Sequence, residues 1–136
     1  MKTSIKILGF ILSVAIISLS GCNKEKKNSL QEGTYSVKET KINYLTGDFT
    51  TPNYSASGPE YPTKKDYKKF TYTQNNGSDI AKITFNLNDN TGQSTDASGG
   101  VTNFTIVSHT IGKESFTANT VDAGENYTRV LEYSKQ

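Results

Sequence analysis

Phe70-Thr71-Tyr72-Thr73-Gln74-Asn75-Asn76-Gly77-Ser78-Asp79-Ile80-Ala81-Lys82-Ile83-Thr84-Phe85-Asn86-Leu87 carries the plainest structural signal in the chain. Phe70 and Tyr72 alternate with Thr71 and Thr73, and Ala81, Ile83, Phe85 and Leu87 alternate with Lys82, Thr84 and Asn86. Successive side chains of a strand point to opposite faces, so this period of two describes strands with one buried and one wet face. Between the runs stands Asn75-Asn76-Gly77-Ser78. Asn-Gly favours a hairpin because both residues tolerate positive φ. The stretch predicts two antiparallel strands with Ala81, Ile83, Phe85 and Leu87 turned to the core.

Toward the C-terminus the same logic yields a meander. Phe104 and Ile106 mark one strand, Ile111-Gly112-Lys113 a turn, Phe116 and Ala118 the next strand, Asp122-Ala123-Gly124 a turn, and Tyr127, Leu131 and Tyr133 the last strand. Arg129 shares that last apolar face, either as a buried charge that needs a carboxylate or as a side chain that snorkels to water. Asn88 to Gly100, with Gly92, Gly99 and Gly100 among Asp, Ser, Asn and Thr, reads as a wet loop. Its acidic residues are too few for a calcium loop.

Upstream, Thr34-Tyr35-Ser36-Val37 and Ile42-Asn43-Tyr44-Leu45 are β-rich, yet Tyr35 and Val37 share one face and Ile42 and Tyr44 the other. Such a change of phase predicts a bulge or sharp coil near Lys38 to Lys41. Thr46 to Lys69 reads as one long irregular connection, broken by Gly47, Pro52, Gly58, Pro59 and Pro62 and carrying tyrosines at 54, 61 and 67. Tyr54, Tyr61 and Tyr67 are the candidate ligand-binding residues, with a lid over the core as their other use. The fold class expected is all-β: a small antiparallel sandwich or barrel of about six to eight strands. Two long loops leave little chain for the sizeable strands of a ligand-holding calyx, so a filled core is expected.

The N-terminus follows a different pattern. Lys2 and Lys6 precede an apolar run from Ile7 to Leu19, too short to span a bilayer, and small residues lead to Cys22. Leu19-Ser20-Gly21-Cys22 resembles the lipobox of bacterial lipoproteins. That resemblance implies cleavage before Cys22, a lipid on its sulfur and acylation of its new amine, and two or more chains anchor stably. The chain then divides into a signal peptide, 1–21; the lipidated cysteine and a polar tether, 22–32; and one β domain, 33–136. Asn23 occupies the position after the cysteine, where Asp is associated with inner-membrane retention, so the resemblance favours the outer membrane of a bacterial envelope. Gly33-Thr34-Tyr35, just after the tether, resembles the Gly-x-Trp opening strand of lipocalin-like proteins, with Tyr in place of Trp.

The 136-residue chain has fifteen basic and thirteen acidic residues. Loss of residues 1–21 removes Lys2 and Lys6 and balances the charges, so no strong field selects nucleic acid. Lys64, Lys65, Lys68 and Lys69 do lie among aromatics, but an exported chain meets headgroups, glycans and proteins instead. With one cysteine and one histidine, His109, the sequence offers no nucleophile elbow, zinc set or phosphate cradle. No catalytic residue, metal or cofactor is expected. The reading is a non-catalytic envelope lipoprotein, held to the membrane through Cys22, whose loops bind a glycan, a small apolar ligand or a protein. The alternative is a structural, accessory or inhibitory interaction protein.

Overall fold

The computed structural model describes residues 29–43, 46–50, 53–63, 65–122 and 127–136. The signal segment, Cys22, the start of the tether, Tyr44 and Leu45, Lys64 and the turn after Asp122 lie outside the described residues. Nine strands follow one another: β1 (Gly33–Asn43), β2 (Gly47–Thr50), β3 (Tyr54–Glu60), β4 (Lys69–Asn76), β5 (Asp79–Asn86), β6 (Thr91–Asp96), β7 (Val101–Ile111), β8 (Ser115–Asp122) and β9 (Tyr127–Lys135). Every pairing is antiparallel, and β9 returns to β1 along Tyr35 to Asn43, which closes the sheet. β3 pairs with Gly33 to Val37 and β2 with Thr40 to Asn43 on the same side of β1, so the two share one position of an eight-stranded barrel. Of the two architectures expected, the chain adopts the barrel.

The hairpin forms where the sequence places it. Asn76 pairs with Asp79 across Gly77 and Ser78, and Gly77 has φ +67°, the left-handed region a tight hairpin turn demands. Ile83 and Phe85 are buried, and Ala81 and Leu87 pack against the core. Phe70, Tyr72, Phe85, Phe116 and Tyr133 fill the barrel's interior. Tyr72 stacks on Tyr133 at 4.4 Å between centroids, and Phe85 lies 4.8 Å from Phe116 edge to face. These rings occupy the space where a calyx would open, and edge-to-face and offset geometry adds to their burial.

Two expectations are corrected. The supposed loops contain β2, β3 and β6. β6, Thr91-Gly92-Gln93-Ser94-Thr95-Asp96, presents Gly92 and Ser94 toward the interior opposite Phe85 and Ile83, so no apolar alternation announces it. The Phe104 ring fills the place of the missing Gly92 side chain: a Cβ there would stand 2.0 Å from Phe104 Cε2. Gly92→Ala must push that buried ring aside, and a loss of about 1–3 kcal/mol in urea unfolding is expected. An unchanged midpoint would mean that the ring has room elsewhere. In β3, Ala56 and Pro59 are the buried residues of a small-residue strand, and the pairing with β4 shifts between Ser57 and Glu60, around Pro59.

The second correction concerns β1, which runs against β9 in unbroken register with no bulge near Lys38 to Lys41. Inward parity continues from Tyr35 and Val37 to Glu39 and Lys41, opposite Leu131 and Arg129. Charged residues at inward positions, Glu39 paired with Arg129 at 3.1 Å, rather than a change of face explain the loss of apolar pattern.

Candidate functional site

The lower end of the barrel, where β3 leads to β4 and β7 to β8, is closed by the segment before β1. Leu30 is buried, Gln31 N–H donates to Lys113 O (2.9 Å), and the Tyr61 hydroxyl donates to Leu30 O (3.0 Å). Tyr61 stands edge-on to Tyr67 (5.1 Å) and to Phe70 (6.1 Å). Its burial pushes the phenol up to about 12. Of the three candidate tyrosines, the structure thus brings Tyr61 and Tyr67 together in this closure. Tyr54 lies at the opposite end of β3.

At that upper end Tyr54 donates to Glu39 Oε2 (3.2 Å), and burial followed by the Glu39 charge raises its pKa. Arg129 stands between two carboxylates: its Nε is 3.1 Å from Glu39 Oε1, and its Nη2 donates to Asp122 Oδ2. The Asp122 and Glu39 side chains are 8% and 15% exposed and Arg129 is 25% exposed. The two carboxylates face the guanidinium, and Lys41 is its cross-strand neighbour on β1. Removing one partner of such a pair exposes the others to an uncompensated charge, which makes the cluster a closure of the upper end. Beneath it Gln74 Nε2 donates to the Tyr133 hydroxyl. Of the two readings open for Arg129, the structure supplies the carboxylates of the first and leaves the side chain a quarter exposed.

The outward face of β4 to β7 differs in character. The strand register aligns Thr71, Thr84, Gln93 and Asn103 in one row and Lys69, Asn86, Thr91 and Thr105 in the next. An open recess of about 470 Å³ lies over these rows. Its side chains are held by one another or by neighbours: Thr84 Oγ1 is 2.8 Å from Thr71 Oγ1, Gln93 Nε2 donates to Asn103 Oδ1 (3.1 Å), and Asn86 Nδ2 donates to Asp89 Oδ2 (3.0 Å). An amide that spends one donor on a neighbour keeps its carbonyl lone pairs or its second N–H. The recess therefore presents fixed donors and acceptors, with Lys69 as its one cationic lining residue.

Sequence reasoning missed this face because three of its nine lining residues, Thr91, Gly92 and Gln93, come from β6. The signal available was the polar half of the alternation, Thr71, Thr84 and Asn86, which is what any solvated sheet face displays. Among the described residues no cluster of His, Cys, Asp and Glu suits a metal ion. Compared with protein-family models, curated proteins and solved structures, the chain matches none.

Proposed function

We propose that this chain is a non-catalytic, lipid-anchored protein of a bacterial cell envelope whose barrel binds a neutral glycan across the outer face of β4 to β7. The observation that carries the reading is the recess over Gln93, Asn103, Thr84 and Asn86, where Gln93 and Asn103 hydrogen-bond each other, Thr84 is held by Thr71 and Asn86 by Asp89. Sugar hydroxyls both donate and accept, and a fixed array of the same kind of groups meets them without further ordering. Support for the anchor comes from the Leu19-Ser20-Gly21-Cys22 motif, with Cys22 seven positions before Ser29. The ring-filled interior favours a surface ligand over a small apolar one held inside.

Each hydrogen bond contributes a net of about 0.5–1.5 kcal/mol, so four side chains supply roughly 2–6 kcal/mol, near the ~4 kcal/mol of a millimolar complex. A weak, repeated contact is best read with a polymer. In native gels cast with dextran, xylan or mannan, the full chain should be retarded by at least one polymer. Gln93→Ala with Asn103→Ala should restore free mobility. Tyr61→Ser, which opens the lower closure, should lower the thermal midpoint and leave retardation in place. Free mobility in every gel, or retardation that survives the double substitution, contradicts the reading.

A further inference from the structure

The chain enters the barrel at a fixed point. Leu30 is buried at the lower end, where its carbonyl accepts from the Tyr61 hydroxyl (3.0 Å). Gln31 is held three times over: its N–H donates to Lys113 O (2.9 Å), its carbonyl accepts from the Tyr35 hydroxyl, and its side-chain oxygen accepts from Lys135 Nζ (3.1 Å). Four segments of the barrel, the β3–β4 connection, the β7–β8 turn, β1 and β9, thus fix where the chain arrives. That point lies at the opposite end from the β4–β5 hairpin.

Cys22 stands seven positions before Ser29. Seven residues reach at most about 25 Å when fully extended, and a coil of that length spans roughly 13–16 Å. The barrel wall is taller than the coil. β4, β5 and β8 have eight residues each, and at about 3.4 Å per residue and a tilt of about 40° they make a wall roughly 20 Å high. For the upper end to meet a bilayer, the chain would have to climb the whole wall from outside the lower rim. A coil does not cover that path, and full extension forfeits conformational entropy along every residue.

We infer that a lipid on Cys22 holds the lower end of the barrel against the headgroups of the bilayer, with the β4–β5 hairpin pointing away from it. This rests on the lipid anchor of the proposed function and goes beyond it, because the anchoring motif alone does not choose the surface that meets the membrane. The rim fits that partner. Thr63, Lys65, Lys68, Asp89, Lys113 and Glu114 are exposed there, a mixture of hydroxyl, amines and carboxylates that rests among headgroups and stays out of the acyl layer, where unpaired charges are costly. The recess over β4 to β7 then opens sideways. Lys69, Asn86 and Thr91, at the strand ends beside the lower rim, form its border nearest the membrane.

The chain contains no tryptophan, so one introduced indole reports without background. Lys113→Trp places it on the lower rim and Ser78→Trp on the β4–β5 hairpin, both at exposed positions. The lipidated full chain, reconstituted in phosphatidylethanolamine–phosphatidylglycerol vesicles, is floated with them on a density gradient and then read by energy transfer to dansyl-labelled headgroups. Lys113→Trp emission should be largely lost and Ser78→Trp emission largely kept. Inserting about twenty Gly/Ser residues between Asn28 and Ser29 lengthens the coil to roughly 26–31 Å, beyond the height of the wall, and should bring the two losses together. Equal losses in floating protein with the native tether, a greater loss from Ser78→Trp, or a difference unmoved by the insertion overturns the inference and leaves the anchor standing. A chain that does not float overturns the anchor, and the inference with it.

Discussion

Phe85→Ala is expected to remove roughly 3–5 kcal/mol of stability, the range for deleting a fully buried phenylalanine, against roughly 5–15 kcal/mol for a whole domain. Phe85 is fully buried and its ring lies 4.8 to 5.9 Å from those of Phe70, Phe104, Phe116 and Tyr133. Those partners come from β4, β7, β8 and β9, so the vacated volume borders rings held by four other strands. None of them moves inward without leaving its own register. Thr84→Ala, one residue away on the outer face, removes only the contact with Thr71 and should cost about 1 kcal/mol or less. Urea unfolding of the two variants checks the assignment of faces. Comparable losses would mean that β5 does not turn Phe85 alone toward the interior.

The second large effect is an alkaline collapse. Burial, chiefly, raises the phenols of Tyr72 and Tyr133 above their usual value, with nearby Tyr35 and Tyr54 respectively adding to it. In the unfolded chain both titrate near pH 10. Below that pH they are neutral in both states and their contribution to stability is whole. Above it the unfolded chain releases protons that the folded barrel still holds, so stability falls as pH rises. The slope is about 1.4 kcal/mol per pH unit for each phenol, roughly 3 kcal/mol per unit for the pair. A domain of ordinary stability then unfolds within a few pH units above 10. The tyrosinate absorbance of these two residues should appear together with loss of the β circular-dichroism signal, and Tyr133→Phe should make the stability curve shallower above pH 10. Phenols that titrate near pH 10 inside an intact barrel would contradict their placement.

Alternation made legible those strands whose inward positions carry large apolar groups. Ile83 and Phe85, Phe104 and Ile106, and Phe116 and Ala118 all face the core as their spacing predicts. β6 escaped notice because its inward Gly92 is covered from across the sheet by Phe104, a tertiary contact that no local pattern encodes. β3 escaped because Ala56 is small and Pro59 sits at a shift in the pairing, so turn-forming residues concealed a strand. Glu39 and Arg129 are ninety positions apart in the chain, and only the β1 to β9 closure brings them to 3.1 Å. The polar recess was illegible for a related reason: hydroxyls and amides on a sheet face become a site only when four strands align them.

Backbone amide shift mapping of the isotope-labelled full chain in detergent, titrated with an oligosaccharide cut from whichever polymer retards it, tests whether the outer face of β4 to β7 binds the sugar. Perturbations should gather on Thr84, Thr91, Gln93, Asn103 and Thr105, with the amides of Tyr54, Glu39 and Arg129 at the upper end unmoved. Shifts centred on the upper end, on Tyr61 and Tyr67 or on the ring-packed interior would contradict it.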